Sequence, residues 1–136
     1  MDISIIIILL VIGLAIVIAG YVFIKSNRRG LSSADNTYIK KHWEIIINEA
    51  NGNPNLAIMN ADKLLGHALK ARGVFGSVGD QLKSAPSLFN DLNSVWSAHK
   101  IRNRLAHEIG MKVTPKEAKS FLNIYKKALK DLGAKL

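Results

Sequence analysis

The chain has 136 residues, no cysteine, and 19 Lys or Arg against 10 Asp or Glu, a net charge of +9. That length holds one ordinary domain plus an appendage, and the missing thiols exclude a disulfide scaffold, a thiolate zinc site and cysteine nucleophiles, which suits a reducing compartment. The basic balance points toward polyanions, either nucleic acid or the anionic face of a membrane.

The first element is a membrane span. Ile3–Ile24 carries no charged side chain. At 1.5 Å per residue it covers about 33 Å, close to the hydrocarbon thickness of a bilayer. A secretory signal peptide has a basic start, a shorter apolar core and a small-residue cleavage site. Here the start is Met1-Asp2 and the run ends in Tyr21-Val22-Phe23-Ile24, so residues 1–25 are expected to form a retained single-pass anchor. Lys25, Arg28 and Arg29 follow the span and nothing basic precedes it. The positive-inside bias then puts the N-terminus outside the inner (cell) membrane and the remaining domain in the cytoplasm. Residues 26–34, small, polar and basic, read as a short linker.

Residues 35–136 show helical periodicity and little that resembles strand. A first helix is expected over about Asn36–Ala50, with Ile39, Trp43, Ile46, Ile47 and Ala50 on its apolar face. Asn53 and Pro54 make a cap and a first-turn proline for a second helix ending near Arg72 and Gly73. Its buried stripe is Ile58, Ala61, Leu64, Leu65, Ala68 and Leu69. Asp62, near its middle, could orient a functional residue but is read as a surface charge. Ser77 and Asp80 are spaced as the start of a short helix reaching about Ser84. A long helix is then expected over about Ser87–Ile109, stopped by Gly110. Thr114-Pro115-Lys116-Glu117 has the form of a capping box and opens a last helix to Leu132, burying Ala118, Phe121, Leu122, Tyr125 and Leu129. From Lys100 onward ten Lys or Arg face three acids, a net of +7. The fold class expected is all-α: a transmembrane helix followed by a bundle of four to five helices.

The chemistry concentrates in Arg102-Asn103-Arg104-Leu105-Ala106-His107. Histidine moves protons near neutral pH, and arginine stays cationic and holds phosphate through a bidentate fork. Five residues on a helix turn about 140° past a full revolution, so Arg102 and His107 point in different directions. Asn103 and His107 share a face, and His99 extends that row backwards. A working site therefore needs Arg102 to curl round, the helix end to fray, or a second copy of the helix to complete it. The other reading of these residues is local: solvated arginines, a tolerated asparagine, and a cation favoured by the helix C-terminal dipole. Trp43, Trp96, Phe121 and Tyr125 read as packing residues. The histidines at 42, 67, 99 and 107 lack the one-turn spacing of a helical metal site, and no cofactor or metal is expected.

The Arg102, Asn103 and His107 pattern resembles the motif of the HEPN superfamily: an Arg, a polar residue, three variable residues and a His near the start of a late helix. The likeness extends back to Ala57–Lys83, where a long helix, a glycine-bounded loop and a short helix precede the motif helix. It spans about Asp35–Leu136. The resemblance implies a HEPN-like bundle in which Arg102 and His107 are the catalytic pair, with Asn103 beside them. It also implies a homodimer and metal-independent cleavage of RNA. The alternative it implies is a non-catalytic nucleotide- or protein-binding module, such as one half of a toxin–antitoxin pair with a nucleotidyltransferase-like partner. A membrane-tethered adaptor is a third reading.

Overall fold

The computed structural model of the chain describes residues 2–27 and 30–136. Six α-helices account for the fold, with no strand among the described residues: α1 (Ile3–Asn27), α2 (Ser33–Gly52), α3 (Pro54–Ala71), α4 (Val78–Ser84), α5 (Leu92–His107) and α6 (Pro115–Asp131). A 3₁₀ turn at Pro86–Leu88 separates α4 from α5.

Helix α1 is long and apolar enough to cross a membrane. Its side chains from Ile3 to Ile24 are all exposed, and none is buried by the rest of the chain. The linker expected at 26–34 is shorter than its composition suggests. Ser26 and Asn27 continue α1, Ser33 and Ala34 already belong to α2, and Arg28 and Arg29 lie outside the described residues. The early start of α2 has a local cause. The Asp35 N–H donates to Ser32 Oγ at 3.0 Å, and the Ser32 N–H donates back to the Asp35 carboxylate at 3.3 Å, a reciprocal cap that sequence periodicity alone overlooks.

The bundle is organised around α3, which packs on α2, α4, α5 and α6. Asn53 caps it by accepting from the Leu56 N–H at 3.1 Å, with Pro54 in the first turn. Ala57, Ile58, Ala61, Leu65, Ala68 and Leu69 are fully buried, so small and large side chains alternate round the central helix and let its neighbours approach. From α2, Ile39, Trp43 and Ile46 reach the core, whereas Ile47, expected on the same face, is 43% exposed. From α6, Leu122, Tyr125 and Leu129 close the other side. Phe121, expected in the core, is only partly buried against it.

Two devices set the positions of the elements that build the site. The Gln81 amide, fully buried, donates to the Gly66 carbonyl at 3.1 Å and the Val74 carbonyl at 2.7 Å, tying α4 to α3. A Cβ at Gly66 would stand 2.9 Å from Val78 Cγ2, so the glycine allows that approach. Asn55 brackets the α5–α6 loop, donating to the Met111 carbonyl at 3.1 Å and accepting from the Val113 N–H at 3.0 Å. Helix α5 is shorter than expected at both ends. Asp91 caps it by accepting from the Ser94 N–H at 3.1 Å, and it stops at His107 before Gly110, whose φ of +77° turns the chain away. The capping box at Thr114 and Glu117 forms as its spacing predicts.

Candidate functional site

The motif helix meets α3 and α6 at a buried acid. Asp62, expected at the surface, is 1% exposed. The reason lies in its register: it follows Ala61 and precedes Leu64 and Leu65, within the stripe that α3 turns inward. One of its oxygens, Oδ1, receives the His99 Nδ1–H at 2.8 Å and the Tyr125 hydroxyl at 3.0 Å. The other, Oδ2, lies 3.5 Å from Arg102 Nε, an ionic contact rather than a hydrogen bond. A carboxylate withdrawn from water is stable only when opposed by charge and donors, and these three groups supply both. Burial, the Asp62 charge and the hydrogen bond to Asp62 push the Tyr125 hydroxyl well above its ordinary value, against the opposing pull of Arg102.

Asn103 links the motif arginine to His99. Arg102 Nη1 donates to Asn103 Oδ1 at 3.0 Å, and Asn103 Nδ2 lies 3.2 Å from His99 Nε2. A guanidinium can only donate, so the asparagine oxygen must face it and the amide nitrogen must face the imidazole. His99 Nε2 therefore accepts, and the ring proton sits on Nδ1, toward Asp62. The network assigns the tautomer from one end to the other.

These groups line one side of a cleft of about 570 Å³ between α4 and α5. Lys83, Lys100 and Arg102 provide its positive charge, Asp62 and Asp80 its negative charge, and Trp96 part of its wall. Hydrogen bonds from Ser77 hold the Asp80 carboxyl below its ordinary value. Trp96 meets the His99 ring edge-on, with centroids 5.8 Å apart. A larger groove between α2 and α6 has an apolar floor that includes Trp43 and a rim of Lys116, Lys119 and Lys126, but no imidazole or carboxylate lines it.

Arg102 and Asn103 are thus brought together, and His107 is not. It is exposed on the last residue of α5, does not line the cleft, and makes no hydrogen bond or ion pair among the described residues. Arg102 turns inward toward Asp62 instead of curling toward it. The neighbouring Arg104 is drawn off by Glu108 in an exposed two-pronged pair at 2.9 and 3.1 Å, so the two arginines of the motif serve different partners.

His42 and His67 take no part in the cleft. Both rings stack on Tyr38, with centroid separations of 3.9 and 4.3 Å. Among the described residues no three His, Asp or Glu side chains gather as metal ligands would. Asp62, His99 and Tyr125 complete the cluster: the sequence set His99 on the motif row, Tyr125 in the core and Asp62 at the surface, and gave none of them a role in the site. The available signal was an acid inside the apolar stripe of α3, a placement that demands a buried partner. Comparison with protein-family models, with curated proteins and with solved structures gives no match for this chain.

Proposed function

We propose that this chain is a membrane-anchored, HEPN-like, metal-independent endoribonuclease that works as a homodimer. The observation carrying the reading is the open cleft, lined by three cations and two acids, in which Arg102 and Asn103 meet a buried acid–imidazole pair, with His107 free at the adjoining helix end. Arg102, with Lys83 and Lys100 beside it, suits a phosphodiester. His107 of the partner subunit supplies a second proton-transfer group, which answers the divergence of Arg102 and His107 along one helix. Attack by the ribose 2′-oxygen on phosphorus gives a 2′,3′-cyclic phosphate and a free 5′-hydroxyl, and Arg102 offsets the charge that develops on the phosphate oxygens. The chemistry requires RNA, since DNA lacks the 2′-hydroxyl.

The basic residues Lys25, Arg28 and Arg29 after the span favour a cytoplasmic bundle. Five residues between α1 and α2 span about 20 Å when fully extended, so the bundle works close to the inner leaflet. The test uses the full chain in lipid nanodiscs, RNA, and excess chelator. Cleavage to cyclic-phosphate ends that is lost in Arg102→Ala and in His107→Ala supports the enzyme. Absence of cleavage at high protein concentration, or equal cleavage by both variants, overturns it. One observation favours a second reading, a non-catalytic binding module. Arg102 is already engaged by Asp62 and Asn103, and its side chain is only 25% exposed. Motif-dependent, salt-sensitive RNA binding without cleavage distinguishes that case.

A further inference from the structure

We infer that His99, a residue outside the Arg102–His107 motif, is the general base that takes the proton from the attacking 2′-hydroxyl, leaving His107 of the partner subunit as the general acid. This rests on the ribonuclease reading above and divides the labour within it.

Three observations carry the assignment. The first is protonation. The chain of donors from Arg102 through Asn103 leaves His99 neutral, with its proton on Nδ1 toward Asp62 and a lone pair on Nε2. That is the form a base must hold before reaction, and the carboxylate behind it stabilises the imidazolium that forms. The second is access. Although His99 is 8% exposed overall, it lines the cleft. Gly79 on α4 stands opposite Nε2, and a Cβ there would lie 3.6 Å from that nitrogen. A side chain at 79 would pack against that nitrogen; the glycine leaves that side of it uncrowded. The third is coupling. Asn103 holds Nε2 while its own oxygen is held by Arg102. A phosphate that draws Arg102 outward releases Asn103 and uncovers Nε2 beside the ribose attached to that phosphate.

The charged and titratable groups facing this imidazole or lining its cleft are Asp62 from α3, Tyr125 from α6, Asp80 and Lys83 from α4, and Lys100 and Arg102 on its own helix. Only Asp62 bonds to the ring among them. The step balances as follows. The O2′–H bond breaks and its proton passes to His99 Nε2 while O2′ bonds to phosphorus. The bond from phosphorus to O5′ breaks, and that oxygen takes a proton from His107 of the partner subunit. Exchange with water then restores both rings.

The experiment compares an ordinary oligoribonucleotide with one carrying a 5′-sulfur leaving group, which departs without being protonated. Full-length chain in nanodiscs is used throughout. His99→Ala is expected to lower cleavage of both substrates by about 10²–10⁴-fold, with partial recovery in added imidazole. His107→Ala is expected to fail on the ordinary substrate and recover on the sulfur one. Gly79→Ala and Gly79→Val keep the helix and crowd Nε2, so cleavage is expected to fall stepwise while the melting temperature does not fall. Cleavage by His99→Ala close to wild type overturns the inference. So does its recovery on the sulfur substrate, which would make His99 the acid. Should His99→Ala fail to fold, undiminished cleavage by Gly79→Val overturns it instead. A wild-type chain inert on both substrates overturns the ribonuclease reading itself, an outcome distinct from any failure confined to His99.

Discussion

The two histidines of α5 sit eight residues apart and live in opposite environments. His99, in the middle of the helix, stands at the wall of the cleft, bonded to Asp62 and fixed in one tautomer by Asn103. His107, at the end, is exposed and unbonded among the described residues. The difference teaches that a sequence motif and a structural site need not coincide. The motif marks the helix end, whereas the strongest polar organisation lies one to two turns earlier. A residue whose neighbours fix its proton contributes to stability and to chemistry together. A residue left free can act only on something brought to it from outside.

Substitutions can break or sharpen this contrast. The largest effect is expected at Asp62. Replacing it with Ala leaves Arg102 partly buried without its counter-charge and strips His99 and Tyr125 of their acceptor, a loss of about 3–5 kcal/mol measured by chemical denaturation. Tyr125→Phe removes one hydrogen bond to an ionised group and should cost about 1.5–3 kcal/mol near neutral pH. It also carries a pH signature. The folded Tyr125 hydroxyl ionises well above its ordinary value, so its contribution is fully present below the unfolded value near 10 and is lost as pH rises beyond it. The gap between wild type and Tyr125→Phe should therefore narrow above about pH 10. At the exposed end, Gly110→Ala forces a side chain onto a φ of +77° and should cost about 1–2 kcal/mol. His107→Ala is expected to change stability by no more than about 0.5 kcal/mol while abolishing cleavage. A large loss of stability at His107, or none at Asp62, would erase the contrast between the two halves of α5.

Much of the fold could be read along the chain because its causes are local. The Asn53-Pro54 start of α3, the Ser77 start of α4 and the Thr114–Glu117 box lie within one helical turn of the backbone groups they satisfy. The stripe of α3 repeats at helical spacing, and its expected apolar members are buried. Helix ends were less legible. The Ser32–Asp35 cap moved α2 forward, and the turn at Pro86–Leu88 and the Asp91 cap moved the start of α5 back. The site was half legible: Arg102 and Asn103 line the cleft, but Asp62 looked like a solvated charge and His99 like an extension of a helix row.

By itself the sequence determined a 22-residue apolar stretch long enough to cross a membrane, the order of the helices, and most of their inward faces, because hydropathy, periodicity and capping act over a few residues. Only the tertiary structure decided that Asp62 meets His99 from 37 residues away and Tyr125 from 63. Helix packing brings such groups together, and a carboxylate enters the interior only where partners already wait, a condition no local pattern records.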